Sequence, residues 1–304
     1  MTPAAGASAH TLASGDLQAK FLPAQGMLGA SLHYRGDELL RRVDDLAGAA
    51  AHGSTAGIPL LHPWANRLAG LRYQAAGRRV ELDASSPLLH LDAHGLPMHG
   101  IPWSQLAWEV TAARPERISA WLQWSRSDLL AIFPFRHRLE MSATIEAKSL
   151  TIATTLVAGS DGAVPVSFGF HPYFGLPGTP RAQWRLRLPA MRQLTLDQRG
   201  IPTGHEADFN GFDALLGTAD FDDGFALMGD AASFSIAAPG LRISVELLAG
   251  YRYAQVFAPR DQDFIALEPM TAPTNALNSG RGLQLVQPGG QFHAAFRIGV
   301  ETEG

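Results

Sequence analysis

The sequence predicts an all-β fold, a large and mostly antiparallel β-sandwich with few short helices. Apolar and polar residues alternate over several runs, which is the pattern of strands with one buried face. The chain also has 31 glycines and 20 prolines among 304 residues, enough to supply the many turns that short strands need. Helical periodicity is weak throughout. These three observations favour a single large β domain of a size that sandwiches reach.

The alternation is clearest in two stretches of the chain. Residues 117–125 place apolar side chains at every second position. Residues 135–145 and 150–156 do the same on either side of the polar break Ala147-Lys148-Ser149, which predicts a β-hairpin. A second hairpin is predicted over residues 231–248, around Pro239-Gly240.

Other segments carry weaker patterns. Residues 37–49 have the spacing of a short helix, and residues 210–216 that of a single helical turn. Residues 1–16 are rich in Ala, Ser and Gly, so we expect them to form a flexible segment. We expect residues 17–304 to form one domain, because no linker or composition shift divides them.

Composition excludes several classes of function. The chain has no cysteine, which rules out thiol nucleophiles, redox pairs and thiolate metal sites. Its 24 basic and 28 acidic residues give a net charge of −4, and no basic run contains aromatic residues, so no nucleic-acid partner is expected. No apolar stretch is long enough to span a membrane. The N-terminus lacks signal-peptide features, so a cytoplasmic location is expected. The pattern does not indicate an oligomeric state.

Two segments combine polar side chains with backbone-restricting residues. Residues 57–67 (GIPLLHPWANR) contain two prolines that shape a loop, at the end of which Asn66 and Arg67 could donate hydrogen bonds to ligand oxygens. Residues 90–100 (HLDAHGLPMHG) contain three histidines, which suggests a metal site, but Gly and Pro oppose the helix that would align them. Among these histidines, His99 is the best candidate for a pocket. The alternatives are an ordinary turn and structural or exposed histidines.

Two further segments place a titratable group among apolar residues. Residues 168–174 (FGFHPYF) surround His171 with aromatic rings, a setting that suits a flat, hydroxylated ligand. Glu268 follows an apolar run that reads as a buried strand, where a carboxylate is costly unless it is paired or functional. A core histidine and a strand-end glutamate are the alternatives. Residues 221–225 (FDDGF) read as a turn that could bring a carboxylate to the same pocket.

Together these segments resemble the aldose 1-epimerase (galactose mutarotase) family. The resemblance spans about residues 57–278 and is carried, in order, by PWANR at 63–67, MHG at 98–100, GFHPYF at 169–174, DDGF at 222–225 and EPMT at 268–271. It implies a large β-sandwich with a sugar cleft on one face. It also implies Glu268 as catalytic base and His171 as catalytic acid, with sugar hydroxyls bound by His99, Arg67 and Asp222.

The sequence departs from the family pattern at two positions. Asp223 stands where many members have histidine, so either Asp222 or Asp223 could face the pocket. Trp64 stands where a smaller or phenolic ring is frequent, which could change the preferred sugar.

Anomer interconversion fits the residue types independently of the resemblance. The reaction removes a proton from the C1 hydroxyl while the ring oxygen gains one. A carboxylate and an imidazolium therefore suffice, and no cofactor or metal is needed. A nearby carboxylate is expected to favour the imidazolium form of His171.

Four alternatives stay open at this point. A hexose 6-phosphate 1-epimerase needs a phosphate clamp, for which the sequence offers the arginines at positions 67, 72, 78 and 79. A non-catalytic carbohydrate-binding sandwich needs no Glu268–His171 pair. A glycoside hydrolase needs two carboxylates, and a metal hydrolase would use His99, His171 and Glu268. The expected partner in the favoured interpretation is a small sugar.

Overall fold

The computed structural model describes residues 9–41 and 55–302, and in them strands dominate. Nine strands form one antiparallel sheet, in the spatial order β18 (Phe212–Leu215), β15 (Arg185–Leu188), β20 (Ala232–Ala238), β21 (Leu241–Ala249), β25 (Gln291–Glu301), β11 (Ser149–Ala158), β10 (His137–Glu146), β9 (Arg117–Trp124) and β8 (Glu109–Arg114).

A second antiparallel sheet has eight strands. Seven of them follow the order β17 (Pro202–Phe209), β16 (Met191–Leu196), β19 (Phe221–Ala226), β22 (Tyr253–Ala258), β23 (Ile265–Met270), β13 (Gly169–Phe170) and β5 (Leu60–Leu61). The eighth, β14 (Tyr173–Phe174), follows β13 in the chain and also pairs with β23.

Smaller elements complete the described fold. A four-stranded sheet contains β1 (His10–Ser14), β2 (Leu17–Leu22), β3 (Leu28–Tyr34) and β4 (Asp37–Glu38). Two-stranded ladders join β6 (Arg72–Ala75) to β7 (Arg78–Glu81), and β12 (Val164–Val166) to β24 (Gln284–Val286). The helical pieces are the α-helices Ser127–Ile132 and Ala276–Ser279 and the 3-10 turns Trp103–Gln105 and Arg181–Gln183. No helix of the described residues is long and apolar enough to cross a bilayer.

The hydrophobic core lies between the two large sheets. Alternate residues of β10, such as Leu139 and Met141, are buried, because successive side chains of a strand point to opposite faces. From the other sheet, the ring of Phe170 lies 5.0 Å from that of Phe296 on β25. Each such buried ring contributes roughly 1.5–3 kcal/mol. Both sheets therefore have one inner and one outer face.

The predicted all-β class and both predicted hairpins are confirmed. The strands β10 and β11 pair in continuous register from His137↔Ala158 to Glu146↔Ser149. The strands β20 and β21 pair around the predicted Pro239-Gly240 turn. The alternation of residues 117–125 is the strand β9, with its apolar positions buried.

Three local predictions are wrong or partly outside the described residues. Residues 10–14 form a strand instead of a flexible segment, because Leu12 is fully buried in the core; residues 1–8 lie outside the description. Residues 212–215 form the strand β18, not a helical turn, since pairing with β15 and ion pairs from Arg185 and Arg187 to Asp213 outweigh a weak local pattern. In the predicted helix 37–49, residues 37–38 are a strand, and residues 42–49 are not described.

Candidate active site

The centre of the site is a pair of opposed residues on the outer face of the eight-stranded sheet. The register pairs Gly169 with Met270 and Tyr173 with Ala266, so His171 lies opposite Glu268 between these two pairs. Pro172 has no N–H and cannot donate to the ladder there. The Nε2 atom of His171 and the Oε1 atom of Glu268 are 3.1 Å apart, and both side chains are almost completely buried.

A tyrosine and a threonine support the histidine. The Tyr173 hydroxyl lies 3.2 Å from His171 Nε2 and is also hydrogen-bonded to the Thr55 hydroxyl. The rings of His171 and Tyr173 stack with centroids 4.2 Å apart and planes 17° from parallel. Packing and hydrogen bonding together restrict the orientation of the imidazole.

The neighbouring strands add an amide and a carboxylate to the same face. Gln255 on β22 is directly opposite Glu268 and is buried, and its Nε2 donates a 2.7 Å hydrogen bond to Asp222 Oδ1. Asp222 is two residues from Gly224, the cross-strand partner of Gln255, so it shares the face of Glu268. Asp223 points to the other face and accepts a 2.7 Å bond from Gln193. The geometry therefore places Asp222, and not Asp223, on the face of Glu268.

Two paired loop segments bring Asn66, Arg67 and His99 to the site. The N–H of His99 donates to the Asn66 carbonyl at 2.8 Å, and Arg67 forms a bridge with Met98. Gly100 is required at this junction, because a Cβ there would lie 2.3 Å from the His62 carbonyl oxygen.

Backbone strain is concentrated in these same segments. Asn66, His99 and the nearby Asn275 all have left-handed conformations, with φ of 57°, 61° and 65°. The N–H of Asn275 donates to the Arg67 carbonyl at 2.9 Å. Such conformations cost about 1–3 kcal/mol each for residues other than glycine and cluster at functional sites.

The Arg67 guanidinium is held in place by two acceptors. Its Nε lies 2.7 Å from Asp92 Oδ2, and its Nη1 lies 3.2 Å from Asn66 Oδ1. Burial alone would raise the pKa of Asp92, but hydrogen bonds from the Leu96 N–H and from Arg67 lower it overall. Asp92 therefore acts as an ionised anchor for Arg67.

Burial moves the pKa values of Glu268 and His171 in opposite directions. It raises the pKa of Glu268 well above its usual value; the nearby Asp222 carboxylate raises it further, and Arg67 lowers it. Burial, with the neighbouring His99, lowers the pKa of His171 well below its usual value. A nearby carboxylate was expected to favour the imidazolium form of His171, but loss of solvation is the larger effect and lowers the pKa instead.

The second histidine is electrically neutral at physiological pH. Burial, followed by the positive charge of Arg67, lowers the pKa of His99 to about 3. Its ring makes an edge-on contact with that of His171, with centroids 5.3 Å apart. In this state one ring nitrogen of His99 donates and the other accepts a hydrogen bond.

All six residues predicted for the site lie in one connected arrangement. Glu268, His171, His99, Arg67, Asn66 and Asp222 are linked by the contacts and electrostatic effects given above. Sequence reasoning missed Gln255, which lies inside an ordinary strand and carries no local signal. It also did not assign Tyr173 and Asp92, although both lie in the highlighted segments. Across residues 9–41 and 55–302, no group of three or more His, Asp or Glu side chains is arranged to hold a metal ion.

Comparison with known proteins defines the family. A family model described as aldose 1-epimerase matches residues 12–299. This chain belongs to the aldose 1-epimerase family. Membership supports an enzyme of the isomerase class that acts on sugars.

Relatives of this aldose 1-epimerase family member share most of its length. The uncharacterized protein YihR of Escherichia coli (strain K12) is 26% identical over 258 residues, covering 79% of this chain and 80% of that protein. A galactose mutarotase-like protein from Clostridium acetobutylicum has a TM-score of 0.82 at 17% identity, covering 96% of this chain and 95% of its own. A galactose 1-epimerase from Lactobacillus acidophilus NCFM has a TM-score of 0.76 at 16% identity, covering 97% and 94%. The two structural likenesses support the fold.

Proposed function

We propose that this protein is an aldose 1-epimerase that interconverts the α and β anomers of a free hexose, with Glu268 as base and His171 as acid. The observation that carries the proposal is the buried 3.1 Å contact between His171 Nε2 and Glu268 Oε1. It sets one proton acceptor and one proton donor side by side on the face where Arg67, His99 and Asp222 also lie.

The reaction balances with these two groups alone. The Glu268 carboxylate takes the proton of the C1 hydroxyl while the His171 imidazolium gives its Nε2 proton to the ring oxygen. The C1–ring oxygen bond breaks and an aldehyde forms. After rotation about C1–C2, the aldehyde closes on its other face, and the two groups return their protons in reversed roles. Each positioned acid or base typically contributes ~10²–10⁴-fold to the rate.

The pKa directions favour a protonated Glu268 and a neutral His171 in the free protein, so the carboxylate–imidazolium form that starts ring opening is the less populated but the more reactive one. Burial raises the pKa of the base Glu268 and lowers the pKa of the acid His171. A more basic carboxylate and a more acidic imidazolium reduce the free-energy cost of each proton transfer. The pair shares one proton. Before ring opening the proton is on His171 Nε2, and after ring opening Glu268 carries a proton and His171 is neutral.

Unsatisfied polar atoms support a polyhydroxylated ligand. Within the described part of the chain, Glu268 Oε2, His171 Nδ1 and His99 Nδ1 are buried without a hydrogen-bond partner. Buried polar atoms are normally paired, and sugar hydroxyls can both donate and accept. We assign hydroxyl binding to His99, Arg67, Asn66 and Asp222.

The positions of the arginines favour a free sugar over a hexose phosphate. Arg67 is bound to Asp92. Arg72 pairs with Glu81, and Arg78 donates to backbone carbonyls of residues 134 and 161. Three of the four arginines expected for a phosphate clamp thus already have a protein acceptor, and the fourth, Arg79, is exposed on β7. A hydrolase that uses Glu268 and Asp222 would leave His171 without a role, and a non-catalytic binder would not need a buried base.

Polarimetry tests the proposal. Freshly dissolved α-D-galactose and α-D-glucose are followed with and without the protein, and glucose 6-phosphate serves as the phosphorylated comparison. We expect faster approach to anomeric equilibrium for a free hexose and a smaller effect on the phosphate ester. Binding of the sugars without acceleration would identify a non-catalytic protein, and a preference for the ester would overturn the free-hexose assignment.

A further inference from the structure

The outer face of the nine-stranded sheet carries a concave surface with a volume of about 620 Å³. It lies over β8 to β11 and β25, and we call it the outer groove. Register shifts in β8 at Val110/Ala112 and in β21 at Leu247/Ala249 lie on either side of these strands. Bulges bend the strands that carry them, which explains a concave surface here.

The outer groove is separate from the candidate active site. Its Glu140 alternates with the buried Leu139 and Met141, which face the core. On the other sheet, Glu268 alternates with the core residue Leu267. The two surfaces therefore lie on opposite outer faces of the sandwich, with both sheets and the core between them.

One row of side chains across four strands carries most of the chemistry of the groove. The register places Trp121, Glu140, Thr155 and His293 side by side. The Thr155 hydroxyl and His293 Nδ1 are 3.2 Å apart. The indole of Trp121 is half-buried and forms no hydrogen bond or ring contact with any side chain that the structure describes.

Hydrogen-bonding groups surround the tryptophan. Arg138 lies in the groove with its Nη2 2.5 Å from Glu140 Oε1, and the floor beside this row contains Ser119 and Ser142. The guanidinium and carboxylate planes each present two polar atoms in one plane, a spacing suited to neighbouring hydroxyls. The indole presents an apolar face and a free N–H donor.

We propose that the outer groove binds a saccharide, with Trp121 stacked against one sugar ring and Arg138, Glu140 and His293 hydrogen-bonded to its hydroxyls. The volume lies within the range of small-ligand sites. The groove offers one aromatic face bordered by paired donors and acceptors, which matches a ring with C–H groups on its faces and hydroxyls on its edge. The proposal does not depend on the mutarotase reaction.

Other occupants fit the groove less well. A phosphate backbone needs a run of unopposed cations, whereas Arg138 is paired with Glu140. A hydrophobic helix or peptide needs an apolar floor, whereas serine, threonine and alanine side chains form this one. Occupation of the groove by a second copy of the chain is distinguished from saccharide binding by the NMR experiment.

Fluorine NMR of protein labelled with fluorotryptophan tests the proposal directly. The chain has six tryptophans, and the Trp121 signal is identified by its absence from the Trp121→Phe variant. Cellobiose, lactose and maltose are the soluble probes, and binding to cellulose and starch tests polymeric saccharides. We expect a saturable shift of the Trp121 signal by at least one soluble or polymeric saccharide, with a dissociation constant on the order of 1 mM. Glu140→Gln is expected to weaken binding about tenfold.

Two controls separate the groove from the active site and from general effects. Glu268→Gln is expected to leave the Trp121 shift unchanged. Leu248→Ala changes an exposed residue of the same sheet outside the groove and is expected to bind like the native protein. No shift of the Trp121 signal with any probe up to about 50 mM would overturn the proposal. A Trp121 shift that depends on protein concentration and not on saccharide concentration would show that the groove mediates self-association. That result would also overturn the saccharide proposal.

Discussion

His171 and Glu268 face each other across an antiparallel ladder, and their Nε2 and Oε1 atoms are 3.1 Å apart. The ladder pairs Gly169 with Met270 and Tyr173 with Ala266, and it is interrupted only between these two pairs, where His171 and Glu268 lie. Their separation is thus set by strand register, and packing of Tyr173 against the imidazole restricts it further. A donor and an acceptor positioned by backbone pairing need little reorganisation before proton transfer.

The buried carboxyl of Glu268 is expected to cost stability at neutral pH. In the unfolded chain it ionises near pH ~4.3, whereas burial raises its pKa in the folded state. The free energy of unfolding therefore has its full contribution from this carboxyl below pH ~4.3 and loses that contribution as the pH rises through the folded-state pKa.

Glu268→Gln should consequently gain stability relative to the native protein as pH rises. We expect its unfolding free energy to exceed that of the native protein by about 1.4 kcal/mol per unit of pKa shift at about pH 8, and by much less near pH 4. Urea unfolding at both pH values measures this difference. A difference that does not change with pH would contradict the assigned shift.

Asp222 and Asp223 form a matched pair for testing which carboxylate serves the site. Asp222→Asn keeps the acceptor for Gln255 but removes the charge that raises the pKa of Glu268. We expect kcat/KM to fall about tenfold and the limb of the pH profile that reports Glu268 to move to lower pH. Asp223→Asn, on the other face, should change kcat/KM by about twofold or less. The reverse ranking would reassign the pocket to Asp223.

Tyr173 is expected to act through its hydroxyl as a positioning residue. Tyr173→Phe retains the ring stacked on His171 and loses the contact with Nε2 and Thr55. The hydroxyl can accept from protonated Nε2 and donate to it afterwards, so its loss should lower kcat about tenfold with little change in KM. Thr55→Val should act in the same direction, and Thr55→Ser should restore the native rate. An unchanged kcat in Tyr173→Phe would show that packing alone orients the imidazole.

A buried histidine pair beneath the site should make the fold sensitive to acid. His62 Nε2 and His137 Nε2 are 2.9 Å apart, and His137 Nδ1 lies 2.6 Å from the Phe135 carbonyl. Burial lowers the pKa of His137 to about 4 and that of His62 as well. For histidines with depressed pKa values, the stability present above pH ~6.5 is lost as pH falls through the folded-state value.

Unfolding measurements at several pH values test this pair. We expect His137 alone to account for a loss of up to about 3 kcal/mol by pH 4. His137→Gln should show a shallower dependence on pH, whatever its stability at neutral pH. Equal slopes for both proteins would contradict the shifted pKa of His137.

The sequence predicted features that depend on local alternation and on clustered polar residues. The strands of residues 117–156 follow from period-two burial, since Ile118 or Leu139 can reach the core only on one face. Glu268 and His171 stand out because each is a titratable side chain among apolar residues. Alternation was sufficient for the fold class, whereas the roles of the two residues were implied by the resemblance to the aldose 1-epimerase family.

Features that depend on distant pairing could not be predicted. Gln255 gains its position only through register with Glu268 and Gly224. Asp222 differs from Asp223 only by the face of β19 on which it lies. Residues 10–14 show little alternation of apolar and polar residues, yet they form a strand because Leu12 is buried in the core. In each case the deciding contact lies far away in the sequence.

The most direct test of the central claim is anomer exchange by Glu268→Gln, measured by polarimetry on α-D-galactose alongside calorimetric binding of the same sugar. The amide retains the shape and hydrogen bonding of the side chain but cannot accept the C1 proton. We predict a rate at least ~10²-fold below native with sugar binding preserved. Native-like exchange in this variant would contradict the assignment of Glu268 as the base.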